Sequence, residues 1–134
     1  MDLVVFGKTR LVTLVAVSEF EQARGLMFRP WPPPVMSFPY DNAEKRTFWM
    51  KNTPSPLDIV FCRANKVVAV VRGEPFAEAH VGADEPADLV VELPRGSAQK
   101  LGIERGSCVQ LILSLQTLAK KYELILAKVG SKNQ

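Results

Sequence analysis

Between positions 48 and 58 the chain reads Phe48-Trp49-Met50-Lys51-Asn52-Thr53-Pro54-Ser55-Pro56-Leu57-Asp58, which sets aromatic rings, a thioether, an ammonium, an amide, hydroxyls and a carboxylate on a proline-stiffened segment. The spacing lets Lys51 and Asp58 pair across the proline turn, while Arg24 and Arg29 precede it on a segment that can meet Glu92. In a half-buried cleft such pairs orient one another and can hold a small polar or anionic ligand against Trp49 and Asn52, the guanidinium offering a fork for carboxylate or phosphate. The competing reading makes Phe48, Trp49 and Met50 core and has Lys51, Asn52 and Asp58 tie loop backbone groups together. General acid–base chemistry would use Asp58 or Glu92 beside Lys51, because burial and a neighbouring charge shift such groups towards neutrality.

Other chemistries have little to draw on. Cys62 and Cys108 lie far apart, match no metal-ligand spacing and read as reduced, packed thiols. His80 is the only histidine and sits between Ala79 and Val81 in an acidic loop, as surface histidines do. Gly25, Gly96, Gly102 and Gly106 do not cluster into a phosphate loop. No metal and no cofactor is expected.

The elements that must position these residues belong to one domain, since 134 residues with 47% hydrophobic content can bury a core without staples. No run of about 18 uncharged apolar residues exists, so no transmembrane helix is expected. Asp2, Lys8 and Arg10 interrupt any apolar start, so no export signal is expected and the cytoplasm is the implied compartment. The net charge of +3 comes from the C-terminal end: residues 1–113 carry 13 basic and 13 acidic side chains, followed by Lys120, Lys121, Lys128 and Lys132 against Glu123. Residues 73–94 hold Glu74, Glu78, Asp84, Glu85, Asp88 and Glu92 and no Lys or Arg, a pattern that speaks against nucleic-acid binding.

Residues 3–6 and 11–17 read as a hairpin turned at Gly7 and Lys8. Ser18 with Glu21 makes a capping-box signature for a short helix that presents Phe20, Ala23 and Met27 on one side and ends at Pro30. Five prolines between 30 and 39 exclude helix and central strand, and with Trp31 and Phe38 among them predict a flap over the protein's own core. Residues 57–62 and 66–71 form a second hairpin turned at Arg63, Ala64 and Asn65. Residues 89–93 and 107–113 complete about six short strands, with one helical turn at 97–101 before Gly102. This predicts a β-rich α+β domain over residues 1–113, drawn as a small, partly closed β-barrel with a short N-terminal helix.

Residues 114–134 differ. Ser114 can cap an amphipathic helix whose stripe comprises Leu115, Leu118, Ala119, Tyr122, Ile125, Leu126 and Val129, with Gly130 placed as its stop. The stripe predicts docking on the protein's own domain or on a neighbouring subunit, with Leu115, Leu118, Tyr122, Ile125 and Val129 as interface candidates.

The motifs resemble the family of uncharacterised small proteins called DUF192, met in bacteria, archaea and phages. Its Phe-Trp-Met-Lys-Asn-Thr…Pro-Leu-Asp-Ile core stands here as residues 48–53 and 56–59, and its Arg-Gly-Leu-Met-x-Arg element as Arg24-Gly25-Leu26-Met27-Phe28-Arg29. Val90-Val91-Glu92-Leu93-Pro94-Arg95-Gly96 and Gly102-Ile103-Glu104-Arg105-Gly106 follow in the family's order, and the likeness runs from about residue 11 to 109. Val35 stands for the usual Gly, Pro54-Ser55 for an apolar pair and Ser107 for Asp, all at loop edges. Many relatives begin with an export signal that is not expected here, and the resemblance implies no settled activity. The expected function is a non-enzymatic binding or structural module with Arg24, Arg29, Trp49, Lys51, Asn52, Asp58 and Glu92 as ligand candidates. Its expected partner is a small polar or anionic ligand, or protein neighbours through the flap or the terminal helix. The rivals are a structural component of an assembly, such as a phage particle or homo-oligomer, which would place it in a virion, and a hydrolytic or transfer enzyme using Lys51 and Asp58.

Overall fold

The structure is a computed structural model, and it describes residues 1–132. Gly7, at φ 59°, turns β1 (Leu3–Phe6) into β2 (Thr9–Val12), with Leu3 opposite Val12. Thr13 then breaks the expected longer strand: its amide donates to the Asp2 carbonyl and its hydroxyl meets Ser37 Oγ at 2.8 Å. The chain thereby crosses into a second sheet as β3 (Leu14–Val15), parallel to β4 (Met36–Glu44).

The helix α1 (Glu19–Arg24) starts with the capping box, since the Ser18 hydroxyl accepts from the Glu21 amide and the Glu21 carboxylate accepts from the Ser18 amide. It stops at Gly25, at φ 50°, five residues before the proline expected to end it. None of its residues is buried, and Phe20 is exposed; Leu26, just past the end, is the side chain that enters the core.

The proline-rich stretch departs further from expectation. Trp31 is exposed and covers no core, whereas Phe38 is fully buried in β4. Pro39 is tolerated there because the β3 ladder has already ended at Ser37, leaving that side of β4 an edge.

The second sheet has the order β3-β4-β9-β6-β7, where β6 (Leu57–Arg63) and β7 (Lys66–Gly73) form the expected hairpin and β9 (Ala87–Pro94) lies between β4 and β6. Ala64 and Asn65, at φ 50° and 65°, supply the left-handed turn. The apolar run from Ile59 to Cys62 has no polar alternation because both faces of β6 are covered, and Asp58 just before it is itself buried. Leu57, Ile59 and Phe61 pack with Leu26, Phe38 and Met50 on one face; Val60 and Cys62 pack with Val4, Phe6 and Val91 on the other.

The first sheet has the order β10-β1-β2, with β10 being Val109–Ile112, and a two-stranded ladder joins β5 (Thr47–Phe48) to β8 (Val81–Gly82). Among the described residues there are ten strands, and no sheet closes into a barrel. The bridge between Lys66 and Cys108 ties the two larger sheets at one corner only. Cys62 is buried and Cys108 exposed, so only the first is a packed thiol.

After the short helix α2 (Ser97–Leu101), closed by Gly102 in the left-handed conformation, β10 leads into α3 (Leu115–Lys132). Ser114 caps α3 through the Thr117 amide, and Asp2 accepts from the Ser114 amide and the Thr117 hydroxyl. The helix runs through Gly130 without stopping; residues 133–134 of the expected tail lie outside the described residues. Lys120 reaches Glu21 at 2.8 Å, but the apolar stripe does not dock on the domain: Leu115, Leu118, Tyr122, Ile125, Leu126 and Val129 are all exposed. Among the described residues no helix is long and apolar enough to cross a membrane.

Candidate functional site

Glu92 occupies the middle of β9, with Met36 of β4 and Ile59 of β6 as its cross-strand partners. Side chains alternate along a strand, so Glu92 shares its face with Val90, on the side where Leu26, Phe38 and Phe61 pack. The residue is 4% exposed, and among the described residues its side chain has no protein hydrogen-bond or ion-pair partner, its remaining access being to the cleft. Burial pushes its carboxyl up to about 8, so the group is mostly neutral at pH 7.

This carboxyl forms the floor of a cleft of ≈ 200 Å³. The end of α1 builds one lip: the positive φ at Gly25 carries Arg24 and Met27 past the opening, and a Cβ at Gly25 would stand 3.6 Å from Glu92 Oε1. The opposite wall is aromatic. Phe38 meets Phe48 edge-on at 5.2 Å, and Phe48 meets Phe61 at 5.9 Å. The β5–β8 ladder brings His80 to this wall, where its Nδ1 lies 3.2 Å from Thr47 Oγ1 and its ring 5.5 Å from that of Trp49. Tyr40 completes the lining under the Arg46 guanidinium, 3.7 Å above its ring; burial pushes its hydroxyl up to about 12, with Arg46 opposing and Glu92 adding to the shift.

The residues expected to act together are divided by the structure. Arg24, Trp49 and Glu92 line the cleft, but Glu92 pairs with neither Arg24 nor Arg29. Arg29 is exposed, and its carbonyl accepts from the Ser55 hydroxyl at 3.0 Å. Lys51 does not meet Asp58; it is exposed, with its ammonium 5.1 Å from the centre of the Trp49 ring. Asn52 takes the left-handed conformation at φ 57°, and its carbonyl accepts from the Phe28 amide. Asp58 is buried under α2, where Oδ2 accepts from the Gly96 and Ala98 amides at 3.0 Å each and Oδ1 stands 3.8 Å from Arg95 Nε. It is a structural anchor because its cross-strand neighbour Leu93 continues directly into the turn that opens α2.

Tyr40, Thr47 and His80 were not legible as cleft residues. Each arrives through a pairing between distant segments, and the only signal within reach was the solitary histidine itself. Among the described residues no group of three or more His, Cys, Asp or Glu side chains is placed to hold a metal ion.

The profile of the family DUF192, described as an uncharacterized ACR, matches residues 4–111, from β1 into β10, and leaves α3 outside. Crystal structures with a similar fold include a protein of unknown function from Novosphingobium aromaticivorans, 34% identical, with a TM-score of 0.70 over 81% of this chain and 82% of that one. Another, from Sinorhizobium meliloti and described as a candidate transcription regulator, is 26% identical, with a TM-score of 0.73 over 82% of this chain and 91% of that one. No curated protein matches the chain.

Proposed function

The chain belongs to the DUF192 family, whose description carries no activity, and from that premise we propose that it is a non-enzymatic module that binds a small ligand in the cleft above Glu92. One observation carries this reading: a carboxyl buried to 4% exposure, without a partner, opens onto a cleft walled by aromatic rings. Among the described residues no sealed side-chain nitrogen or oxygen lacks a partner, so the carboxyl keeps its access to the cleft, where a ligand can exchange solvent for direct hydrogen bonds. A reaction centred on Lys51 and Asp58 has no support, because Asp58 is occupied by Arg95 and two amides while Lys51 faces solvent. The regulator description of the Sinorhizobium structure is not carried over as nucleic-acid binding, since residues 1–113 are charge-neutral.

The test is a fragment titration of the full chain followed by amide NMR. Binding in the cleft should move the signals of Arg24, Gly25, Thr47, Trp49, His80 and Glu92 together. Shifts confined to other surfaces would refute the reading.

A second reading, a structural role in an assembly with another copy of the chain, is favoured by the exposed apolar face of α3.

A further inference from the structure

We infer that the ligand is a small carboxylate on a flat apolar body, held between Arg24 as counter-charge and the O–H of Glu92 as hydrogen-bond donor. This rests on the cleft being a binding site and adds the class of ligand it takes. The apolar body is called for by the wall of Phe38, Phe48 and Trp49.

The charge follows from what faces Glu92. From β6 it meets only the apolar Ile59, and β4 contributes Met36 and the Tyr40 hydroxyl. Further out, the end of α1 contributes Arg24 to the cleft lining and the segment before β8 contributes His80, neither of them paired with Glu92. Among the described residues no second acid lines the cleft, and Lys51, outside its lining, sets its ammonium over the Trp49 ring. A rim of this sign disfavours a cationic ligand and favours an anion. The anion must also coexist with Glu92, which it can do only while Glu92 keeps its proton, because two carboxylates sharing one site cannot both ionise cheaply. A protonated carboxyl is a single O–H donor, which suits one planar carboxylate oxygen, and the Arg24 fork suits the same group.

Benzoate is the probe, titrated into the full chain by calorimetry and amide NMR at pH 7 and at about pH 9.5, with benzamide and benzylammonium in parallel. Benzoate should bind at the cleft residues and weaken by about tenfold or more at the higher pH, as Glu92 loses its proton. Arg24→Ala should weaken it by about tenfold, whereas Glu92→Gln, which keeps a neutral donor, should bind benzoate with the pH dependence removed. Benzamide or benzylammonium moving the cleft signals while benzoate does not would overturn the ligand class and leave the binding reading standing. Benzoate binding equally at both pH values would overturn the role of Glu92. Failure of all three probes to move any cleft signal would overturn both this inference and the binding reading.

Discussion

Asp58 and Glu92 sit on adjacent strands, both nearly sealed from water, yet donors surround the first and none reaches the second. Removing Asp58 strands the Gly96 and Ala98 amides, while Arg95 keeps the Leu57 and Gly73 carbonyls and Glu74. Asp58→Ala should therefore cost about 3 kcal/mol in urea unfolding. Lys51→Ala should stay within about 0.5 kcal/mol, since its ammonium touches only a ring face at the surface; a loss as large as that of Asp58→Ala would mean the two residues pair after all. For Glu92 the sign of the pH effect is set by a folded-state value of about 8 against an ordinary 4.5. Between these values the folded state keeps a proton that the unfolded chain has released, so stability falls as pH rises through the window, by about 1.4 kcal/mol per unit at most. Thermal unfolding from pH 5 to pH 9 should show this slope in the parent and its loss in Glu92→Gln. Glu21 acts in the opposite sense: against desolvation, hydrogen bonds from Lys120, Ser18 and Val17 hold its carboxyl down to about 2. Its contribution is present above its ordinary 4.5 and is lost as pH falls towards 2.

At the scale of elements, the two-residue ladder between β5 and β8 decides whether the cleft has a wall. Thr47 pairs with Gly82 and Phe48 with Val81, which holds Trp49 beside His80. A Cβ at Gly82 would lie 2.3 Å from the Arg46 carbonyl oxygen, so the backbone itself must move to admit it. At Gly73 the closest atoms are Met50 Sδ at 2.6 Å and Ile59 Cδ1 at 3.2 Å, so buried side chains must repack there but no backbone atom stands in the way. Gly82→Ala should thus be the more damaging, by about 2 kcal/mol or more, and should change Trp49 fluorescence, whereas Gly73→Ala should leave that signal in place. Equal losses with unchanged fluorescence would remove the ladder from the account of the cleft.

For the whole molecule the unsettled surface is α3. A helix of 18 residues with six large apolar side chains exposed is marginal by itself and gains from a partner. Light scattering on the full chain should find self-association that grows with concentration, driven by burial of this apolar face. Leu118→Lys with Ile125→Lys should yield a folded monomer. A parent chain that is monomeric at every concentration would exclude the assembly reading.

What the amino-acid order determined by itself is local. The Ser18–Glu21 cap, the Ala64-Asn65 turn, the single turn of α2 before Gly102 and the start of α3 at Ser114 each depend on residues within a few positions, where backbone preference and one hydrogen bond decide the outcome. The contiguous motifs carried the family resemblance for the same reason. Tertiary structure decided which charges meet. Lys51 and Asp58 are close in sequence, but the strand pairing sends one to the surface and the other beneath α2. Pro39 could enter β4 because β3 is short, and the β-rich sheets stay open where six strands suggested a barrel. Glu92 became a neutral acid because the register of β4, β9 and β6 sets Met36 and Ile59 beside it and no cation, a circumstance written in three distant segments. Burial and partnership are properties of that register, which no stretch of the chain encodes alone.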